Sequence, residues 1–474
     1  MIVQHNITAM NSNRMLGLTT NSLSKSTEKL SSGYRINRAA DDAAGLTISE
    51  KMRKQIRGLD QASTNAEDGV SAVQTAEGAL TEVHSMLQRM NELAVQASNG
   101  TNSTSDRQAI QDEISQLNTE IDRVAETTKF NETYLLKGGD GTKEVTMNGH
   151  DAGLKGSLAD GATKATFSIE AGALDAGKKI TIGGKEYTIG AEAKDGQALV
   201  TAQEKTGGKI TVNGKNYTYN DTDSKWLDSE GNDAKVGNGA NAGEIKIADG
   251  DKVSDGSKTL TVMVDAKKAD GTAGKDKIDD TDSSVITADK AIELMQAELE
   301  AANKIGVDDP ASVTVSKPTY DKTKATEFEI TKGTAKVADR LSFNLHVGSD
   351  ADMTNKIGVN IETMNSAYLG IKGLNVADDS GNAATYAIDA IADAVAKVSE
   401  QRSALGAVQN RLEHTIDNLD NVVENTTSAE SRIRDTDMAE EMVNYSKNSI
   451  LQQAGQSMLA QANQANQGVL SLLQ

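Results

Sequence analysis

Heptad spacing of apolar residues at both ends of the chain is the feature that most restricts how this sequence can fold. Two interleaved rows in the N-terminal part repeat every seven residues: Val73, Leu80, Leu87 and Ala94, and Ala76, Val83, Met90 and Ala97. A C-terminal row repeats in the same way at Ile391, Val398, Leu405, Leu412 and Leu419. Such stripes predict coiled-coil helices, which are not stable alone in water. We therefore expect the N-terminal helices to pack against a C-terminal helix of about 40 residues.

The N-terminal helix is followed by a loop and a second helix. Residues 98–104 are Ser, Asn, Gly and Thr, and Ser105 with Gln108 predicts a capping box after them. The next apolar stripe comprises Ile110, Ile114, Leu117, Ile121 and Val124. This pattern predicts a helical hairpin that turns near residue 101.

The middle of the chain has a different composition. All 13 arginines lie in 1–123 or 340–434, whereas 141–339 holds 24 of the 41 glycines and both prolines. Residues 180–189 and 210–219 are similar to each other, and each predicts two short strands joined by a Gly-Gly or Asn-Gly turn. Residues 258–264 and 326–330 predict further strands, and 288–303 predicts a helix. The few large apolar residues here predict small, separate cores.

These patterns predict a multidomain α+β protein with mainly α-helical, coiled-coil ends and an inserted β-rich region. We expect residues 1–45 and 430–474 to form one terminal coiled-coil domain. Residues 46–140 and 340–429 are expected to form a helical bundle with a small β-hairpin part. Residues 141–339 are expected to form one or two surface-exposed modules, of which about 145–335 is dispensable because the heptads lie outside it.

The extreme termini carry heptads of a different character. The N-terminal row is Ala9, Leu16, Leu23 and Leu30, and the C-terminal row is Leu451, Met458, Ala465 and Leu472. Residues 448–474 contain no charged side chain but seven Gln and three Asn. A neutral polar face suits burial against copies of the same chain, where charge would repel or lose its hydration. We expect these rows to be polymerisation elements; a flexible polar tail is the alternative.

Composition excludes several classes of function. The chain of 474 residues has no cysteine, and its net charge of −20 argues against a nucleic-acid binder that tracks phosphates. No apolar run approaches the ~18 residues of a membrane span, and the first residues lack the pattern of a cleaved signal. The five histidines are scattered, and the acidic runs at 221–223 and 279–282 lack the pattern of a calcium loop. We expect no enzymatic activity, cofactor, metal or membrane insertion.

A charged segment precedes the long N-terminal heptads. It contains Arg35, Arg38, Asp41 and Asp42 within twelve residues of mostly small side chains. We expect these carboxylates to pair with the arginines at a helix start or between subunits, rather than to form a metal site or an acid pair.

Four segments together resemble bacterial flagellin. They are residues 31–46 (SSGYRINRAADDAAGL), 87–96 (LQRMNELAVQ), 405–411 (LGAVQNR), and the chain end from 450–455 (ILQQAG) to 469–474 (VLSLLQ). The resemblance covers about 1–137 and 340–474, and not the variable middle. It implies a subunit that self-assembles into the flagellar filament for swimming, with 1–45 and 430–474 in an inner tube and 46–140 and 340–429 in an outer tube. A hook–filament junction protein or another flagellar axial protein is the alternative.

The resemblance also implies a route and partners. Flagellins travel unfolded through a type III export channel, are shielded by a cytoplasmic chaperone that covers the C-terminal helix, and assemble under a filament cap outside the cell. Their segment corresponding to 87–96 is bound by an innate immune receptor of the Toll-like class, which implies a receptor site at Arg89, Leu93 and Glu113. The spacing of Arg89 and Leu93 predicts an exposed leucine beside the ion pair. The alternative is that Leu93 widens the core stripe.

Overall fold

The computed structural model describes residues 6–237, 240–265, 275–378 and 381–471, with side chains up to 464. Its helices are α1 (Ile7–Ser32), α2 (Ala43–Ala97), α3 (Thr104–Thr127), α4 (Ala193–Ala202), α5 (Ala288–Asn303), α6 (Ser366–Leu369), α7 (Asn382–Arg434) and α8 (Met438–Ser471). Packing divides the chain into two compact units. Unit 1 comprises Met1–Val73, Phe343–Val359 and Gly406–Gln474, and unit 2 comprises Gln74–Ser342 and Asn360–Leu405.

The described residues between α3 and α7 form twenty strands. They are β1 (Lys129–Phe130), β2 (Thr133–Tyr134), β3 (Thr142–Thr146), β4 (Ser157–Asp160), β5 (Lys164–Ile169), β6 (Lys179–Ile182), β7 (Lys185–Ile189), β8 (Lys209–Val212), β9 (Lys215–Asn220), β10 (Lys225–Leu227), β11 (Lys235–Val236), β12 (Glu244–Ile245), β13 (Lys252–Ser254), β14 (Thr259–Thr261), β15 (Val285–Ile286), β16 (Thr314–Val315), β17 (Thr326–Thr331), β18 (Thr334–Ala338), β19 (Leu341–His346) and β20 (Lys356–Ile361). The predicted α+β fold, with helical ends and a β-rich insertion, is confirmed.

Unit 1 contains two antiparallel helix pairs. The first joins α1 to α8, because the Asn6 side-chain amide donates to the carbonyl of Ala462 at one end and Lys29 lies 3.8 Å from Glu441 at the other. The second joins the first part of α2 to the last part of α7, where Ala66 and Leu412 share a buried cluster. The predicted packing of N-terminal against C-terminal helices is therefore present.

Unit 2 is built on the rest of α2, on α3 and on the start of α7. All the α2 heptad residues from Ala76 to Ala97 are fully buried, as are Ile391 and Val398 of α7. Helix α3 lies antiparallel to α2, and the predicted capping box at its start is misplaced by two residues. Ser103, not Ser105, is the N-cap, and it exchanges hydrogen bonds with Asp106. An aspartate three residues after a serine can fill the role usually taken by glutamate or glutamine.

Both predicted hairpins of the middle are present. Strand β6 pairs with β7 through a turn at Gly183 and Gly184, and β8 pairs with β9 through Asn213 and Gly214. All four turn residues have positive φ, as the two-residue turns that match strand twist require. The helix predicted at 288–303 is α5.

Separate buried clusters fill the middle, as predicted, and the two largest contain the aromatic side chains. The larger contains Phe167 and Phe328, which face each other across the β5–β17 pair, and α5 packs on it. The smaller surrounds Trp226, which lies in the five-stranded sheet β10-β9-β8-β13-β14. With only four phenylalanines and one tryptophan in the chain, each core depends on one or two large side chains.

The chain enters and leaves the middle region through one antiparallel strand pair. Strands β3 and β18 run side by side, with Thr146 opposite Thr334 and Thr142 opposite Ala338. The 187 residues that separate Thr146 from Thr334 thus begin and end at neighbouring positions. An insertion whose ends meet in this way can be removed with little strain on the remaining backbone.

Neither a membrane-spanning helix nor a metal-binding cluster occurs among the described residues. None of the helices in these ranges combines the length and apolar character required to cross a membrane. The same ranges hold no group of three or more histidines and carboxylates placed to bind a metal ion.

Candidate functional site

The outward surface of the α1–α8 pair is unusually apolar for an exposed helical surface. On α8, Val443, Ile450, Leu451 and Met458 are all exposed, and their spacings of seven and eight keep them on one side of the helix. On α1, the exposed apolar residues are Ile7, Met10, Met15 and Leu18. Soluble chains rarely leave large apolar patches uncovered, so this surface is a candidate interaction site.

The two predicted terminal rows have different surroundings. The α1 row of Ala9, Leu16, Leu23 and Leu30 is half-buried, whereas Leu451 and Met458 of the α8 row are exposed. The side chain of Ala465 and all of Leu472 lie outside the described residues.

Most of the α8 positions that are half-buried in the pair are polar or small. They include Gln452, Gly455 and Ala462, whereas Leu459 is a large apolar residue. Gly455 allows close approach, because a Cβ there would lie 3.3 Å from the Leu16 side chain. The Leu451 and Met458 row therefore remains accessible to another molecule.

The loop between α1 and α2 is tied to the junction between α7 and α8. Tyr34 forms an isolated antiparallel bridge with Asp435, and the backbone N–H of Arg35 donates to the carbonyl of Arg434 at 2.7 Å. The Arg434 guanidinium lies 4.9 Å from the Tyr34 ring centre and bonds Glu50 at 2.7 Å. These contacts join the two chain segments at the base of the terminal helix pair.

Within the chain, Asp41 and Asp42 do not pair with the arginines of this loop, so that part of the prediction is wrong, and pairing between subunits stays a prediction. Arg35 donates to the carbonyl of Ile433, and Arg38 bonds Glu28. Asp41 instead accepts from the backbone N–H groups of Arg38 and Asn37, and the Arg38 hydrogen bond lowers the pKa of this carboxyl. Asp42 accepts from the N–H of Gly45 at the start of α2. Backbone N–H groups of the loop and of the first helical turn, which have no partner within the helix, donate hydrogen bonds to these carboxylates.

Arg89 and Glu113 meet on the surface of the α2–α3 hairpin. The Nε of Arg89 lies 2.9 Å from Glu113 Oε1, and its Nη1 lies 3.2 Å from Glu92. The hydrogen bond to Glu113 raises the pKa of Arg89, and both side chains remain about half exposed. They form a charged, accessible patch.

The prediction that Leu93 is exposed is wrong. Its side chain is 2% exposed, and it is among the largest fully buried side chains of the chain. Helix α2 faces both α3, through the Arg89–Glu113 pair, and α7, through Glu77 and Arg402. A helix between two neighbours buries a wider stripe than a two-stranded seam, and Leu93 belongs to that wider stripe.

Sequence reasoning missed the apolar residues outside the heptad rows. Ile7, Met10, Met15 and Leu18 on α1, and Val443 and Ile450 on α8, are exposed but were not singled out. For Ile450 the sequence carries a signal, because no lysine or glutamate follows residue 447 in the chain. An apolar stripe that is wide enough to contact both the partner helix and another molecule indicates such positions.

Comparison with known proteins gives full-length matches. The family model of the bacterial flagellin N-terminal helical region matches residues 3–140, and that of the C-terminal helical region matches 388–473. The flagellin of Clostridium tyrobutyricum is 39% identical over 98% of this chain and 100% of its own length. The flagellin of Bacillus subtilis (strain 168) is 36% identical over 100% of both chains. Flagellin B of Vibrio anguillarum is 33% identical over 99% of both.

These matches extend through the middle region as well as the helical ends. They agree with the motifs at 31–46, 87–96 and 405–411, and with the paired terminal helices of the structure. The chain belongs to the bacterial flagellin family, whose members are structural subunits of the flagellar filament.

Proposed function

We propose that this protein self-assembles into the flagellar filament used for swimming, and that α1 and α8 are its polymerisation elements. The observation that carries the proposal is the set of exposed apolar side chains on α1 and α8, together with the absence of any charged side chain from residue 448 onward in the sequence. In a monomer this surface contacts water, and in a helical polymer a second copy covers it. Burying apolar area yields about 25 cal/mol per Å², and uncharged amides add no cost of ion desolvation.

The export route, the further partners and the location in this proposal are inferred from the flagellin family. Export through the flagellar type III channel, a chaperone that shields α8 and a filament cap suit a chain whose terminal apolar surface must stay covered before assembly. The proposed place of the filament subunit is outside the cell. The three-part division of the chain, with inner-tube, outer-tube and surface regions, belongs to the same proposal.

Removing the middle region should leave a chain that still polymerises. The sharpest deletion removes 147–333 and joins Thr146 to Thr334 by Asn-Gly, because these two threonines are already paired across β3 and β18. Filaments should form with altered surface and stiffness, as seen by electron microscopy after seeding. Tyr386 loses its packing against the removed core, so some loss of thermal stability is expected. A deleted protein that is helical but never forms filaments would contradict the division into domains.

We also propose that a Toll-like receptor contacts the surface around Arg89 and Glu113. Arg89→Ala should weaken binding to the soluble receptor ectodomain about tenfold or more, because arginines at an interface centre are frequent hot spots. Glu113→Ala should have an effect of the same sign. Surface plasmon resonance measures both.

Arg123→Ala is the matched control for the receptor experiment. Arg123 also forms an exposed ion pair on this hairpin, with Glu120, but it lies ten residues further along α3 than Glu113. Its replacement should leave the affinity unchanged. Equal affinities for wild type, Arg89→Ala and Glu113→Ala would show that the receptor does not use this surface.

A further inference from the structure

Methionine supplies much of the exposed apolar surface of the α1–α8 pair. Of the large apolar side chains that are exposed on these two helices, within the part of the chain that the structure describes, half are methionines: Met10, Met15, Met438, Met442 and Met458. We call these five residues the methionine surface, and their exposed fractions run from 48% to 67%. Methionine is among the residues most often buried in proteins, so five exposed copies on one helix pair are an unusual concentration.

Most other methionines are shielded from solvent. Five of them, all in unit 2, are at most 4% exposed: Met90, Met147, Met263, Met295 and Met364. Met52 and Met86 are half-buried, and Met353 is 75% exposed outside the helix pair. An oxidant dissolved in water reacts with a thioether that it can reach, so exposure separates reactive methionines from inert ones. The methionine surface therefore reacts before the cores do.

A thioether side chain suits a contact between copies of a chain. It is unbranched, it rotates about three bonds, and its polarisable sulfur adapts to irregular gaps. The apolar character of the side chain nevertheless depends on the oxidation state of that one sulfur atom. The chain has no cysteine, so no thiol of its own competes with the thioethers for an oxidant.

Oxidation changes the methionine surface from apolar to polar. A sulfur lone pair attacks one oxygen of a hydroperoxide, and the O–O bond breaks as the S–O bond forms. The sulfur loses two electrons, and the other peroxide oxygen leaves with both protons of hydrogen peroxide as water. The new sulfoxide oxygen accepts hydrogen bonds, so burying it against apolar side chains without a donor costs free energy.

We propose that the methionine surface is an oxidation site that controls self-assembly. Hydroperoxides convert its thioethers to sulfoxides in the free subunit, and the oxidised subunit no longer adds to a filament. In the filament, neighbouring copies cover the same sulfur atoms and slow their oxidation. The inference rests on the proposed assembly through α1 and α8, and it adds the chemistry that blocks this assembly.

Hydrogen peroxide treatment of the full-length monomer, followed by seeded polymerisation, tests the inference. Peptide mass spectrometry should show that the methionine surface gains oxygen before the five buried methionines do. Circular dichroism should stay that of untreated protein, whereas the critical concentration for polymerisation should rise about tenfold or more. Methionine sulfoxide reductases for both epimers, with dithiothreitol as the reductant, should restore polymerisation. Filaments assembled before the treatment should be oxidised at these positions several-fold more slowly than monomers.

Leucine variants show whether these particular sulfur atoms are responsible. Leucine is similar to methionine in size and apolar character, so a five-fold variant removes the sulfur and keeps the surface. Its polymerisation should not respond to peroxide; the substitutions are Met10→Leu, Met15→Leu, Met438→Leu, Met442→Leu and Met458→Leu. Met353→Leu is the matched control, because Met353 is exposed on the connection between β19 and β20. This control should be as sensitive to peroxide as wild type.

The outcomes distinguish this inference from the assembly proposal. Untreated protein that never polymerises would contradict the assembly proposal itself, and this inference with it. If untreated protein polymerises, equal polymerisation after oxidation of all five methionines would overturn the oxidation inference alone. The same follows if peroxide inactivates the five-fold variant as strongly as wild type. If that variant does not assemble, the reductases decide, since oxidised wild type that stays inactive once its sulfoxides are removed would overturn the inference.

Discussion

Removal of residues 448–474 should abolish filament formation while most of the helical structure stays folded. The deletion removes the accessible apolar row of α8 and most of the partner surface of α1. The buried heptads of α2, α3 and α7 lie outside the deleted segment, so we expect these helices to stay packed. Seeded polymerisation followed by electron microscopy should therefore show no filaments. Circular dichroism should show a helical signal reduced by the terminal pair only, with a cooperative melt.

Point variants distinguish the assembly of copies from the pairing of α1 with α8 within one chain. Leu451→Glu combined with Met458→Glu places two charges on the outward row and leaves the half-buried positions of α8 intact. Polymerisation should fall strongly, because each charge must be desolvated at the contact between copies. Gln453→Glu with Gln456→Glu adds the same charge at exposed positions outside that row, and should assemble far better. Filaments from the truncated protein, or complete loss of its helical melt, would contradict the proposed architecture.

Leu93→Asp should destabilise unit 2 by about 3–5 kcal/mol. Leu93 is 2% exposed, so the substitution removes a large apolar side chain and places a carboxylate where water cannot reach it. The midpoint of urea unfolding should fall sharply, with a smaller loss for Leu93→Ala. The same measurement is needed to interpret receptor binding by this variant. Weaker receptor binding by Leu93→Asp would result from damage to the fold.

Val95→Asp is the control for the Leu93 experiment. Val95 lies on the same helix only two residues away, but half of its side chain is exposed. The same change of charge there should cost less than about 1 kcal/mol, as is usual for surface positions. Equal stabilities of Leu93→Asp and wild type would show that the side chain is not part of the core.

The features that the sequence predicted correctly depend on local physics. The Gly183–Gly184 and Asn213–Gly214 turns require positive φ, which glycine and asparagine adopt readily, so the two residues of each turn, between alternating strand residues, identify the hairpins. The rows from Ala76 to Ala97 and from Ile391 to Leu419 are regular enough to identify buried helix faces without coordinates. The family itself was identifiable because its motifs lie in these regular ends.

Three outcomes depended on tertiary packing. The heptad residues Leu451 and Met458 are exposed, because Gly455 gives α1 a closer approach than those larger side chains allow. Asp41 and Asp42 bond backbone N–H groups, since these lie nearer than the arginine side chains.

Leu93 is the clearest of these cases. It is buried because α2 has two helical neighbours, and a single heptad seam cannot reveal a second neighbour. Periodicity in a sequence determines which residues share a face of a helix. Which of those faces meets the rest of the chain, and which remains for another molecule, is decided by the partners that the fold places beside it.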